Sequence, residues 1–232
     1  MRLLCDWNLA LNVNHVLHGQ GANPEVVRAR RPALVEIAEW ALAEGVPLLG
    51  PKVVVEEYNV ESVRHESLIL TGGKRLSGPL IVQHLAGASK VIAMLCTVGG
   101  TLEALVSEVI QTDIMHALAL DGLGSAAVEE LSIQACNTFG KQAEEEALKP
   151  SIPLSPGMVG WPVDDGQRQI FALVDGEQIG VRLNESSMMA PGKSLSLVLG
   201  IGKDLNYQGR TCDYCTLSAT CRYQDHYIAT KS

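Results

Sequence analysis

The sequence is poor in aromatic side chains and in positive charge. Aromatic residues make up 4% of the 232 positions, and 18 Lys and Arg residues stand against 26 Asp and Glu, for a formal net charge of -8. A surface for nucleic acid or for an anionic membrane needs clustered Lys and Arg, so neither partner is expected. Because aromatic rings are scarce, stacking on rings is not expected to dominate ligand binding.

Long apolar runs and several common motifs are also missing. No apolar run reaches the roughly 20 residues that span a bilayer, and Asp6 and three asparagines interrupt the apolar N-terminus. The sequence contains no G-x-x-x-x-G-K-[ST] phosphate loop, no G-x-G-x-x-G and no G-x-S-x-G. These absences favour a soluble cytoplasmic protein, and they leave its catalytic residues unidentified.

The apolar residues that are present follow both helical and strand patterns. Periodicity predicts helices over about 24–45, 77–88, 100–111 and 121–147, with Pro32 able to divide the first, and a further helix capped by Asp164 or Asp165. Strands are predicted around residues 53–55, 68–70, 90–99, 179–183 and 194–202. Thr71-Gly72-Gly73-Lys74 is interpreted as a two-residue hairpin turn. The fold class is therefore α+β, with one domain over 1–205 and a cysteine-rich tail over 206–232.

Three groups of residues have ordinary structural interpretations, and for the second and third a chemical role is the alternative. Cys5, Cys96 and Cys136 stand singly among apolar residues and are expected to pack as small hydrophobes. His15 and His18 could share a metal, although the sequence indicates no third ligand. Thr97-Val98-Gly99-Gly100 could bind an anion at a helix start, but a simple strand-to-helix turn is the more ordinary interpretation.

Three cysteines and one histidine concentrate near the C-terminus, in TCDYCTLSATCRYQDH. They follow the pattern Cys212-x2-Cys215-x5-Cys221-x4-His226. A C-x2-C pair lets one ion take two thiolates from a single turn, so the cluster is a candidate metal site. Zinc bound by three thiolates and His226 is one interpretation. An iron–sulfur cluster with a fourth ligand from elsewhere, or with an open iron, is the second. Free thiols or a reversible disulfide are the third.

Several segments, in collinear order over about residues 12–203, resemble the activation domain of cobalamin-dependent methionine synthase and the short free-standing proteins similar to it. The segments are PEVVRARRPALVEIA, LSGPLIVQHLAGASKVIAMLCTVG, LDGLGSAAVEEL, SPGMVGW, IGVRL and NESSMMAPGKSLS. The resemblance implies a curved antiparallel sheet flanked by helices. It also implies S-adenosylmethionine as methyl donor, and a cobalamin, presented by a partner corrinoid protein, that is returned from the cob(II) to the methyl form.

The resemblance carries over to individual residues only in part. The family's motif Arg-x-x-x-Gly-Tyr falls on Pro153, Gly157 and Met158, so this chain matches only the glycine. An arginine would hold the ligand's carboxylate by a charge-assisted contact of about 1.5 to 3 kcal/mol, which proline cannot make. Six candidate ligand-binding residues remain from the matching segments and the weaker Asp-Trp pair at the N-terminus: Asp6, Ser155, Gly157, Met158, Glu185 and Ser186.

Two functions follow from the resemblance and its departures. The first is an accessory protein of a corrinoid methyltransferase system that supports reductive reactivation or handling of the cobalamin, in which a low-potential tail cluster would be useful. The second is a metal-stabilised binding module that has lost S-adenosylmethionine and docks a corrinoid protein or binds another small molecule. Pro153 and Met158 motivate the second.

Overall fold

The computed structural model describes residues 1–205, 211–215 and 218. Their regular structure alternates between strands and helices along the chain. The strands are β1 (Arg2–Leu4), β2 (Lys52–Arg64), β3 (Ser67–Leu70), β4 (Lys74–Ser77), β5 (Lys90–Thr97), β6 (Lys149–Pro150), β7 (Arg182–Leu183), β8 (Met189–Ala190) and β9 (Ser194–Gly202). The helices are α1 (Val13–Gly19), α2 (Pro24–Arg30), α3 (Ala33–Gly45), α4 (Pro79–Leu85), α5 (Thr101–Val109), α6 (Ile114–Glu145) and α7 (Val163–Leu173).

The main sheet has seven strands, and every pairing in it is antiparallel. Six strands follow the order β4-β3-β2-β5-β9-β6, and β1 also pairs with β2. At the centre, Val54 lies opposite Leu95 and Ala93 lies opposite Val198. Strands β7 and β8 form a separate two-stranded hairpin. The predicted antiparallel sheet with flanking helices is confirmed.

Both faces of the central strands are covered, which explains why β5 is apolar at nearly every position. Val53, Met94 and Cys96 pack with the long helix α6 on one face, called here the α6 face. Val54 and Leu95 pack with α4, α7 and the loop after β6 on the other, called the α4/α7 face. Beyond Val55, strand β2 changes to alternating burial because it leaves the doubly covered region.

A second layer of helices packs against the N-terminal half of α6. Helices α1, α3 and α5 bury Leu17, Ala38 and Leu102 there with Leu120 and Leu123. Helix α1 approaches α6 so closely that a Cβ atom built on Gly19 would lie 1.9 Å from the carbonyl oxygen of Gly122. Only glycine fits at this crossing.

Several predicted boundaries are confirmed and others are wrong. Pro32 divides the first helical segment, between α2 and α3. Helix α6 begins at Ile114 rather than near residue 121, because the Asp113 side chain accepts hydrogen bonds from the free N–H groups of the first turn. Residues 164 and 165 lie inside the first turn of α7, which Pro162 precedes without a side-chain cap.

The β3–β4 hairpin is confirmed, but its turn has three residues rather than two. Leu70 pairs with Lys74, which leaves Thr71, Gly72 and Gly73 in the loop. Both glycines have positive φ, of 74° and 69°. Among the cysteines, Cys96 is buried and Cys136 is half-buried, whereas Cys5 is exposed, so its predicted core packing is wrong. Strand β1 ends at Leu4, so the chain has left the sheet at Cys5.

Two further expectations concern the chain as a whole. In the part of the chain that the structure describes, no helix is long and apolar enough to cross a membrane. The division at residue 205 stays a prediction, because most of residues 206–232 lie outside the described ranges.

Candidate functional site

The loop from Ser155 to Trp161 forms a tight structure on the α4/α7 face. The Met158 N–H donates to the carbonyl oxygen of Ser155 at 3.3 Å, and the Trp161 N–H donates to that of Met158 at 2.9 Å. The Ser155 N–H donates to the Met158 sulfur at 3.4 Å. Met158 and Trp161 are both buried in the core cluster of this face. The loop is therefore held by its own hydrogen bonds and by two anchoring side chains.

Glycine is required at two places in this loop. Gly157 and Gly160 have φ values of 98° and 88°, which side chains with a Cβ rarely adopt. A Cβ on Gly157 would also lie 3.1 Å from a methyl carbon of Val163. The match of Gly157 to the family motif thus coincides with a backbone requirement. Its N–H donates to the carbonyl oxygen of Trp161 at 2.8 Å, and a role of Gly157 in ligand binding stays a prediction.

The first part of the cysteine-rich tail docks on this loop. Residues 211–214 form a single 3-10 turn, and Cys215 makes an antiparallel bridge with Met158. The Val159 N–H donates to the carbonyl oxygen of Tyr214 at 2.8 Å. The structure therefore brings Ser155, Gly157 and Met158 together with the C-x2-C pair, although more than 50 residues separate them in sequence.

Two buried polar atoms lie on the same face. The Tyr214 ring meets the His84 ring edge to face, with 4.4 Å between centroids. Nε2 of His84 and Nε1 of Trp161 are both buried, and neither has a hydrogen-bond partner within the described residues. Burial lowers the pKa of His84 below its usual value, so the neutral ring is favoured. Sequence reasoning did not single out His84, and its position on α4 offers no local signal.

The described residues supply half of the predicted metal site. Cys212 and Cys215 are partly exposed free thiols on one turn, where the Cys215 N–H donates to the carbonyl oxygen of Cys212 at 3.2 Å. Such a pair suits zinc or an iron–sulfur cluster. Over residues 1–205, 211–215 and 218, no group of three side chains that could hold a metal ion is present. His15 and His18 therefore have no third ligand within these ranges. The predicted ligands Cys221 and His226 lie outside the described residues.

Glu185 and Ser186 lie at the exposed tip of the β7–β8 hairpin. Asn184 organises this tip, since its Oδ1 accepts the N–H groups of Ser186 at 3.0 Å and Met188 at 2.9 Å. Met188 is exposed, whereas Met189 packs against the α4/α7 core cluster. The tip therefore belongs to the same face as Met158, but it forms a separate polar loop.

Lys193 anchors the end of this hairpin, and sequence reasoning missed it. Its Nζ lies 2.7 Å from Oδ1 of Asp121 and donates to Oγ of Ser125 at 2.9 Å, while its N–H donates to Glu103 Oε1 at 2.7 Å. Lys193 belongs to the segment APGKS, and Asp121 and Ser125 belong to LDGLGS, and both segments carry the family resemblance. The two segments therefore contact each other in the structure.

Asp6 lies away from these loops. It is exposed just after β1, and its neighbour Trp7 packs on the α6 face, where its Nε1 donates to the carbonyl oxygen of Leu4 at 3.1 Å. No hydrogen bond between described residues joins Asp6 to the Ser155–Trp161 loop. The six predicted ligand-binding residues therefore fall in three places, and a shared role for all six stays a prediction.

The strand-to-helix turn at residues 97–100 has its own internal hydrogen bond. The Gly99 N–H, which an anion would need, donates to Oγ1 of Thr97 at 3.1 Å. The simple-turn interpretation is therefore favoured.

Comparisons with known proteins yield a match in fold and none in sequence. No family model matches the chain, and no curated protein matches it. Among solved structures, the crystal structure of the MetH reactivation domain bound to AdoHcy matches with a TM-score of 0.67. The match covers 90% of this chain and 81% of that chain at 14% sequence identity. The fold predicted from the resemblance is thus the fold found, and identity this low supports the fold alone.

Proposed function

We propose that this protein is an accessory component of a cobalamin-dependent methyltransferase system, which supports the reductive reactivation or handling of a corrinoid held by a partner protein. The observation that carries the proposal is the shared fold with the MetH reactivation domain over nine-tenths of the chain. The docking of Cys212 and Cys215 on the Ser155–Trp161 loop adds to it, because the two thiols then lie beside the segment on which the family's ligand motif falls.

The reaction that such a protein would support has a defined electron balance. One electron reduces cob(II)alamin to cob(I)alamin. The cobalt then takes the methyl group of S-adenosylmethionine, and the sulfonium becomes the neutral thioether of S-adenosylhomocysteine. The Ser155–Trp161 loop would contribute rigid backbone groups to the methyl donor, since Met158 and Trp161 hold it against the core.

In this proposal Cys212 and Cys215 would supply two of the ligands of a metal centre. An iron–sulfur cluster there would supply a low-potential electron, whereas zinc would supply only a structural crosslink. The protein's own contribution is to fix both thiols on one turn and to attach that turn to the loop through the Val159 and Tyr214 backbones.

A second candidate function rests on residue 153. Pro153 stands between the fully buried Ile152 and Leu154, where it offers neither a charge nor an N–H to a carboxylate. A protein with this fold that no longer binds S-adenosylmethionine would act as a docking module for a corrinoid protein.

The direct test uses the corrinoid's visible spectrum. The corrinoid-binding part of a methionine synthase without its own reactivation domain is oxidised to cob(II) and mixed with this protein, S-adenosylmethionine and a low-potential chemical reductant. We expect cob(II) to disappear and the methyl form to accumulate. A spectrum that changes at the same rate without this protein would refute the proposal.

Calorimetry separates the two functions. Micromolar binding of S-adenosylmethionine or S-adenosylhomocysteine that persists in the Arg75→Gln variant would support methyl donation. No heat at millimolar ligand, together with retained binding to the corrinoid protein, would support the docking module. Iron, sulfide and zinc analysis of protein purified without oxygen, compared with the Cys212→Ser and Cys215→Ser variants, separates the metal interpretations.

A further inference from the structure

A groove on the outer side of the β3–β4 hairpin has chemistry that the corrinoid role does not use. It is open to solvent and has a volume of about 920 Å³, within the range of small-molecule sites. One wall comes from the ends of β2, β3 and β4, and the other from residues 160–162 and the start of α7. The groove is therefore next to the Ser155–Trp161 loop, but it contains none of the six predicted ligand-binding residues.

Arg75 is held in a defined position in this groove. Its Nε donates to Oγ of Ser77 at 2.7 Å and to Oγ of Ser67 at 3.0 Å, and one terminal nitrogen also donates to Ser67 Oγ at 2.7 Å. Ser67 is only 3% exposed, so one of the two anchoring hydroxyls belongs to the floor of the groove. This orientation comes from β-sheet register, because Ser67 lies directly opposite Ser77 and diagonally across from Arg75.

The strand that carries Arg75 is fixed in turn by α7 and by the loop. The Ser77 N–H donates to Gln169 Oε1 at 2.7 Å, and Gln169 Nε2 donates back to the Ser77 carbonyl oxygen at 3.2 Å. At Gly78 the chain has φ 143°, and a Cβ there would lie 2.9 Å from the Gly160 carbonyl oxygen. The groove is thus built from several elements that restrain one another.

The charge of the groove departs from that of the whole chain. Its two arginines, Arg64 and Arg75, balance its two carboxylates, Glu66 and Asp165, whereas the whole chain has a net charge of -8. Across the described ranges, no carboxylate lies within ion-pair distance of either guanidinium. A guanidinium held by neutral hydroxyls keeps its remaining N–H groups for an anion, to which it can donate two parallel hydrogen bonds.

We propose that this groove binds a small molecule through a carboxylate or phosphate group held by Arg75, with the Ser67 and Ser77 hydroxyls fixing the guanidinium. Glu66 and Asp165 also line the groove. They repel a dianion more strongly than a monoanion, so a carboxylate is favoured over a phosphate. The proposal goes beyond the corrinoid role and does not rest on it.

Three probes test the anionic group by isothermal titration calorimetry on the full chain. AMP, S-adenosylhomocysteine and adenosine share an adenosyl group and carry a phosphate, a carboxylate or neither. We expect S-adenosylhomocysteine to bind most tightly and adenosine most weakly. If the three bind equally, or none binds at millimolar concentration, the proposal is overturned. Tighter binding of AMP than of S-adenosylhomocysteine would keep the site and overturn the carboxylate preference.

Variants then assign the contact to Arg75. Arg75→Gln is expected to weaken the anionic probe about tenfold to a hundredfold and to leave adenosine unchanged. Arg75→Lys keeps the charge but loses the planar guanidinium, so its affinity for the anionic probe should lie between those of the wild type and Arg75→Gln. Arg182→Gln is the matched control, because Arg182 is exposed on the β7–β8 hairpin and pairs with Glu177. Equal losses in Arg75→Gln and Arg182→Gln would show a bulk charge effect and overturn the assignment.

The binding result and the corrinoid result can fail separately. The calorimetry needs no corrinoid partner, and the spectral assay can be repeated with Arg75→Gln. Loss of probe binding without loss of reactivation would leave the groove as an independent site. An unchanged thermal unfolding temperature of the variants serves as the check that they fold.

Discussion

The two faces of the central sheet are built in different ways. The α6 face is covered by one long helix whose buried residues are mostly Ala, Gly, Leu and Val. The α4/α7 face is covered by two short helices and the Ser155–Trp161 loop, and it contains the buried atoms His84 Nε2 and Trp161 Nε1 without partners among the described residues. A uniform apolar face suits stability. A face assembled from loops, thiols and unsatisfied polar atoms suits ligand binding.

The largest expected effect comes from disturbing the helical layer behind the α6 face. Gly19→Val places a side chain where a Cβ would already meet the Gly122 carbonyl oxygen at 1.9 Å. We expect a loss of about 3 kcal/mol in the free energy of unfolding, or no folding, measured by urea denaturation. Ala43→Val, on the exposed side of α3, is the control and should cost less than about 1 kcal/mol. Similar losses in both would contradict the close-approach argument.

A smaller effect is expected on the α4/α7 face. Gly157→Ala should cost about 1 to 2 kcal/mol, because φ is 98° and Val163 is close. The substitution should also speed alkylation of Cys215, because Cys215 forms a backbone bridge with Met158, the residue that follows Gly157. Gly180→Ala is the matched control, since Gly180 has φ 74° but open space around its Cβ position. Gly180→Ala should lower the free energy of unfolding without speeding alkylation of Cys215. Equal alkylation rates in Gly157→Ala and Gly180→Ala would argue against the docking of Cys215 on the Ser155–Trp161 loop.

The smallest effect is expected from the protonation of His84. Burial lowers its folded pKa below the ordinary value of 6.5, so folding favours the neutral ring. This contribution to stability is present above pH 6.5 and is lost as the pH falls toward the folded pKa. His84→Gln should flatten that part of the stability curve, measured by urea denaturation from pH 7.5 to about pH 5. A curve with the same slope as the wild type would exclude His84 as its source. The pKa of His18 is also lowered, mainly by burial. Because His18 is present in both the wild type and His84→Gln, its contribution does not enter the difference between the two curves.

Much of the fold could be predicted from local pattern. The break at Pro32, the apolar strand β5 and the hairpin at Gly72 and Gly73 follow from proline geometry, uninterrupted hydrophobicity and glycine's access to positive φ. The start of α6 could not be located, because Asp113 and Asp121 are both acceptable caps and only packing against α1, α3 and α5 chooses between them. The exposure of Cys5 was missed for a similar reason, since strand β1 ends at Leu4.

Some residues of the candidate site could also be predicted from local sequence, whereas others could not. Gly157 and the C-x2-C pair are visible in the sequence because a turn and a two-thiolate ligand set are local features. Arg75 and Lys193 are not, since each is one basic residue among 18 until its distant partners are known. Ser67 for Arg75 and Asp121 for Lys193 come into contact only through strand register and through the packing of a hairpin on α6.

The sequence by itself determined the fold class, the turns that need glycine and the presence of a paired-cysteine turn, because each depends on neighbouring residues and on the period of hydrophobicity. Only the tertiary structure decided that this turn lies against Met158, that Asp6 lies beside a residue packed on the opposite face, and that Arg75 opens onto a groove. Those arrangements join residues far apart in the chain, and their distances depend on register and close packing that no local pattern specifies.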